Sequence, residues 1–236
     1  MAEQEGMRTY WDEKITWWAD SAYEEKPRGI IERWMAHLRR SVHARAVIAL
    51  DLLKEGHLQG RTVLDIGCGN GHFAQACINA GAAHVIGLDI SPQAIAMAKQ
   101  LAQRHGVADK TTFVVGRAGQ EKLPDADIIT GFGLIDWLSR EECQRLFNAL
   151  GGRRFIFSFS EMDGSFDEWV HYFYLIERLR YFGGGVRAYH HPRRVILNRL
   201  YKAGIRDVEI VVRKEMRFGR LIHNLNWPQH RPKDKR

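Results

Sequence analysis

One stretch constrains this chain more than any other: Val63-Leu64-Asp65-Ile66-Gly67-Cys68-Gly69-Asn70-Gly71. A short strand-like run meets three glycines at alternate positions, and a helical pattern begins at His72. Glycine at such a turn lets the backbone approach a ligand where a Cβ would clash. Eighteen residues past Gly71, a second run, Val85-Ile86-Gly87-Leu88-Asp89, ends in a carboxylate. That position suits a bidentate hydrogen bond to ribose hydroxyls at the switch point of an open sheet. The triplet and the acidic strand end carry the reading together; neither does so alone.

From Arg61 onward, short apolar runs alternate with helical stretches. The runs are Thr62–Ile66, His84–Leu88, Thr112–Val115, Asp127–Thr130 and Arg154–Phe159; the helices lie near His72–Ala80, Pro92–Arg104 and Arg140–Leu150. Such alternation predicts an α/β fold, a doubly wound, mostly parallel sheet with helices on both faces. Ser91-Pro92 reads as an N-cap followed by a first helical turn. A last helix from Pro192 stops at Gly204, and two strand-like runs follow, Arg206–Val212 and Met216–Leu225, which can pair antiparallel near a sheet edge.

Three further segments flank or interrupt this core. Residues 1–57 read as a helical N-terminal cap, with Ile31, Trp34, Met35, Leu38, Val42, Ala46, Leu50 and Leu53 at helical spacing. The ligand-binding domain is expected in residues 58–225, where 161–191 forms an aromatic insertion with a Gly183-Gly184-Gly185 hinge that suits a lid after strand five. Residues 226–236 form a basic tail.

Composition narrows the class. With 236 residues the chain supports one substantial core and a small cap. No apolar run approaches the roughly 20 residues a membrane-spanning helix needs, and Met1–Gly6 lacks the pattern of a signal peptide. Three cysteines, Cys68, Cys77 and Cys143, make neither a disulfide framework nor a zinc site, so a cytoplasmic location and no metal are expected. The net charge of +7 is concentrated late, through Arg213, Lys214, Arg217, Arg220 and the tail. It keeps a nucleic-acid partner open beside a plain solvated face.

The loop also discriminates among ligands. A dinucleotide site uses Gly-x-Gly-x-x-Gly and offers a helix N-terminus to a pyrophosphate. Here the spacing is Gly-x-Gly-x-Gly, and Asp65 stands just before it, where a carboxylate would repel a pyrophosphate by several kcal/mol at intermediate dielectric, about 20. A ligand bearing an ammonium and a sulfonium fits instead.

On these motifs, over roughly residues 40–160, the chain resembles the class I S-adenosylmethionine (SAM)-dependent methyltransferases. The resemblance implies a seven-stranded sheet of order 3-2-1-4-5-7-6 with the seventh strand antiparallel, SAM as cofactor and S-adenosylhomocysteine as its product. It implies that Asp65, Gly67, Cys68, Gly69 and Gly71 frame the methionine portion, that Asp89 binds the ribose and that Ile90 packs on the adenine. Arg117 and Ala118 take the adenine-edge position; the family often has an acid where Arg117 stands, which leaves the Ala118 amide to serve the adenine. Phe132 and Gly133 come near the methyl group. More loosely, Leu134-Ile135-Asp136-Trp137 and Arg217-Phe218-Gly219-Arg220 are similar to the magnesium-protoporphyrin O-methyltransferase branch, which tends to have His-Tyr-Pro where this chain has Asp136, Trp137 and Leu138.

Methyl transfer is an in-line displacement, so alignment matters most, and a base is needed only for an acceptor that still carries its proton. The candidate proton acceptors are Asp136, His171 and His190, with Glu161 beside them. Each has a bland alternative: Asp136 as a cap near Ser139, Glu161 as a solvated carboxylate, His171 as packing. Adjacent His190 and His191 point differently, which argues against a metal pair. The aromatic residues Tyr10, Trp11, Trp17, Trp18 and Tyr23 suit a cover over the cofactor, and Arg39 or Arg40 a partner for its carboxylate. A small-molecule acceptor is expected for O- or N-methylation; the alternatives are an RNA or other nucleic-acid methyltransferase and a SAM-binding protein without turnover.

Overall fold

The computed structural model describes residues 6–13, 15, 43–119, 122–161, 169, 189, 191–216 and 219–226. Seven strands form one sheet of order β3-β2-β1-β4-β5-β7-β6. They are β1 (Thr62–Ile66), β2 (His84–Asp89), β3 (Thr111–Val115), β4 (Ile128–Gly131), β5 (Arg154–Ser160), β6 (Glu209–Val211) and β7 (Gly219–His223). The first five pair in parallel, β7 runs antiparallel to β5, and β6 pairs antiparallel with β7. This is the expected order, and both terminal strands are shorter than the apolar runs from which they were read.

Helices cover both faces. Helix α1 (residues 43–54), α2 (His72–Asn79) and α3 (Pro92–Arg104) precede α4 (Arg140–Ala149) and α5 (Arg193–Lys202). Side chains of a strand alternate between faces, and here the alternation divides two cores. Val63, Val85, Ile128, Ile156 and Leu221 pack with Ala49, Leu53, Ala74, Cys77 and Ala98 on one side. Leu64, Ile129, Phe155, Phe157 and Ile222 pack with Leu146, Phe147, Ile196 and Leu200 on the other. Buried on both faces, these strands read as near-continuous apolar runs rather than strict alternation.

Local chemistry fixes the helix starts that matter for the site. Ser91 accepts a hydrogen bond from the Ala94 backbone N–H at 2.9 Å, and Pro92 follows it at the first helical position. Ser139 and Glu142 form a reciprocal capping box at α4. The alternative of Asp136 as the cap of this helix is therefore corrected: Ser139 fills that role. Of the expected cap, lid and tail, residues 16–42, most of 162–190 and 227–236 lie outside the described residues. Among the described residues, no helix is long and apolar enough to cross a membrane.

Candidate functional site

The glycine loop leaves β1 with Gly67, Gly69 and Gly71 all at positive φ (75°, 53° and 83°), a region that suits glycine. Gly71 is also sterically required. A Cβ there would lie 3.0 Å from the Ala98 Cβ and 3.2 Å from the Phe113 ring, so the turn packs directly on α3. The backbone N–H groups of Gly67 and Cys68 both donate to the Leu88 carbonyl, at 2.7 and 3.2 Å, which ties the loop to the end of β2.

Asp89 completes that tie. Its Oδ2 accepts from the Gly69 N–H at 2.9 Å and its Oδ1 from the Ser91 N–H at 3.0 Å. Burial pushes its carboxyl above the usual carboxylate range; the backbone N–H groups of Ser91, Gly69 and Ile90 oppose the shift, and neighbouring Asp12 adds to it. Asp65, 2% exposed, is pushed by burial up to about 6, against a hydrogen bond from the Thr130 hydroxyl at 2.9 Å and with Asp89 adding to the rise. Two acids thus flank the turn, each short of solvation. A cationic ligand would restore what burial takes from them, whereas a pyrophosphate would add a third negative centre.

Around this turn stand the other expected residues. Cys68 is buried, its thiol held well above the usual range by burial and by Asp89 and Asp65. Ile90 is half-buried and Ala118 buried. Phe132, after β4, meets Phe73 edge-on at 4.5 Å between ring centroids. The Gly133 N–H donates to the Ser158 hydroxyl at 2.8 Å, which sets the backbone path past β4. Arg117 forms an ion pair with Glu142 on α4. The capping Ser139 and this arginine hold the Glu142 carboxyl below its ordinary value despite burial.

The candidate bases separate. Asp136 is 9% exposed in a short 3-10 turn, Ile135–Trp137, and both its oxygens accept from Ser160: Oδ1 from the backbone N–H at 2.9 Å, Oδ2 from the hydroxyl at 2.7 Å. It clamps the turn that follows β4 to the end of β5. Glu161 is not the solvated carboxylate of the bland alternative: its Oε2 accepts from Arg193 at 2.7 Å and from Arg220 at 2.8 Å. Arg220, 7% exposed, therefore belongs to the interior rather than to a basic surface. His191 is buried, with its Nε2 2.9 Å from the Leu138 carbonyl. His171, His190, Arg39 and Arg40 lie outside the described residues. Among the described residues no cluster of ligands suits a metal.

One contributor escaped the sequence reading altogether. Asp12, on the N-terminal helical residues 6–13, reaches the start of α3, where its Oδ1 accepts from the Ser91 hydroxyl and, at 3.2 Å, from the Gln93 N–H. Beside it, Trp11 meets Trp137 edge-on at 5.1 Å and Tyr10 lies 6.0 Å from the same ring. An acid at the N-terminus of a helix is a recognised favourable placement, but nothing in the sequence says which distant helix it serves.

A family model described as a methyltransferase domain matches residues 63–151, from the glycine loop to the end of α4. These residues are similar to a methyltransferase domain. Over 87 residues the chain is 44% identical to the ribosomal protein L11 methyltransferase of Aliivibrio salmonicida, and 50% identical to that of Aliivibrio fischeri. Each match covers 37% of this chain and 29% of the relative, so the chain spans under a third of the length of the curated relatives it matches. Among solved structures, the magnesium protoporphyrin IX methyltransferase from Synechocystis PCC 6803 with bound SAH superposes with a TM-score of 0.70 at 22% identity, over 92% of this chain and 96% of that one. A possible exported protein from Bordetella parapertussis superposes at 0.72 and 16% identity, over 89% and 78%. These likenesses extend the fold beyond the methyltransferase domain to the terminal strands.

Proposed function

We propose that this chain is a methyltransferase that takes SAM at the glycine loop and methylates a small-molecule acceptor. The observation that carries the reading is the pair of acids, buried Asp65 and half-buried Asp89, around a glycine turn at the ends of β1 and β2, both with carboxyls pushed above the usual range by desolvation. SAM supplies, when bound, a methyl carbon already activated by the adjoining sulfonium. Asp65, Gly67, Cys68, Gly69 and Gly71 would hold its methionine portion; Asp89, with lone pairs left beyond its two backbone bonds, its ribose; Ile90 and the Ala118 amide its adenine. Phe132 and Gly133 would line the path to the acceptor.

The protein's own work in such a reaction is alignment and exclusion of water. Asp136 serves it as a positioning residue, holding the turn that follows β4 against the end of β5 through Ser160. Where the acceptor carries a proton, His171 or His190 is the proposed acceptor of it; His190 stands in sequence between Tyr189, whose N–H donates to the Asp136 carbonyl, and the anchored His191.

The small-molecule acceptor draws support from the extent of the likenesses. The L11 methyltransferases match over 37% of this chain, whereas the protoporphyrin enzyme shares its fold over 92% of it. The placement of Arg220 inside an ion pair removes part of the basic surface that a nucleic-acid acceptor would need. Three buried, unbridged cysteines are consistent with work in the cytoplasm.

Calorimetry tests the donor reading: SAM and S-adenosylhomocysteine should bind, and NAD should not. A preference for NAD, or indifference to both sulfur ligands, overturns it. Incubation of cell extract with the protein and methyl-labelled SAM then tests the acceptor. Label in the small-molecule fraction supports the proposal, and label confined to protein or RNA refutes it.

A further inference from the structure

The N-terminal helical residues cross the mouth of the proposed donor site and are held at three places. Asp12 holds the end nearest β2, through the Ser91 hydroxyl and the Gln93 N–H at the start of α3. Ile15, 8% exposed, lies over the glycine loop, its Cδ1 3.7 Å from where a Cβ on Gly69 would be. Tyr10 and Trp11 hold the end nearest β4, against Trp137. These anchors run from the end of β2, over the loop that follows β1, to the turn that follows β4.

We propose that Asp12 is a positioning residue for the methyl donor: by clasping the start of α3 beside Asp89 it keeps residues 6–13 and Ile15 across the glycine loop and retains the donor beneath them. The proposal rests on the donor reading given above and adds a residue to it. Support of α3 alone is a poor account of Asp12, because Ser91 already caps that helix through the Ala94 N–H. Arg8, 3.9 Å away on the same helical segment, orients the carboxylate. The Asp12 side chain keeps 33% of its surface exposed, so this polar anchor is the one that water can compete for, while the aromatic anchor at Trp137 is apolar. Entry and exit of the donor therefore begin with release of Asp12.

Two variants separate retention from plain stability. Asp12→Asn keeps an oxygen that accepts from Ser91 and Gln93; Asp12→Ala keeps none. Stopped-flow binding of S-adenosylhomocysteine to the full chain should show Asp12→Ala weakened about tenfold, chiefly through faster dissociation. Asp12→Asn should stay within about threefold of wild type, and the melting temperature of the unliganded protein should change little in either. With an acceptor in hand, KM for the donor should rise in Asp12→Ala while kcat holds. Wild-type binding with unaltered dissociation in Asp12→Ala overturns the clasp and leaves the donor reading intact. Equal losses in both variants that track a fall in melting temperature overturn it as well. A wild-type protein that binds no sulfur ligand overturns the donor reading, and the clasp falls with it.

Discussion

The Asp89 carboxylate accepts a hydrogen bond from the Gly69 backbone N–H at 2.9 Å. The end of the second strand and the turn after the first are thereby one unit, and a ligand that contacts either is held by both. Replacing Asp89 with Ala should weaken SAM binding by about 1–3 kcal/mol, the scale of a lost charge-assisted hydrogen bond, and free the loop as well. Calorimetry with unchanged affinity would remove Asp89 from the ribose role.

Asp65 makes stability and binding depend on pH in opposite directions. Burial pushes its carboxyl up to about 6 in the folded chain, from an ordinary 3.8 when unfolded, so the folded state binds the proton more tightly. The stabilisation is complete below 3.8 and is lost as pH rises through 6, a change of roughly 3 kcal/mol. Asp65→Asn, which keeps an acceptor for Thr130, should therefore raise the melting temperature of the unliganded protein at pH 7.5 and have less effect at pH 4.5. It should weaken SAM binding at pH 7.5. A variant no more stable than wild type at the higher pH would refute the burial penalty.

Gly71→Ala tests the turn itself. The φ of 83° and the 3.0 Å approach to Ala98 both oppose a Cβ, and the strain alone should cost about 1–2 kcal/mol. Urea denaturation should show that loss together with reduced SAM affinity. Normal stability would mean that the loop and α3 separate without cost.

Glu161 is the partner of two arginines, one of them buried, so Glu161→Gln should destabilise the fold by about 3 kcal/mol. Thermal denaturation distinguishes this from a solvated carboxylate, whose neutralisation would scarcely move the melting temperature.

Burial pushes the Cys143 thiol up to about 12 and those of Cys68 and Cys77 well above their usual range. All three should react slowly with a thiol reagent at pH 8 in the native protein, with or without SAM, and quickly in denaturant. Rapid labelling of Cys68 in the native state would show that the loop opens readily.

The sequence by itself determined the class of fold and the place of its site. Glycine spacing, the acid at the end of a strand and the alternation of short apolar runs with helical ones are local patterns, set by backbone sterics and by side-chain periodicity. They are legible over windows of ten to twenty residues. What the side chains of the site do was decided by tertiary structure. Arg117 pairs with Glu142, Asp136 is taken up by Ser160, Glu161 is held by Arg193 and Arg220, and Asp12 reaches Ser91; these partners lie 24 to 79 residues apart along the chain. Periodicity tells which face of an element is buried, but a charged group chooses among distant partners by distance and desolvation, and those exist only once the sheet has brought its strand ends together.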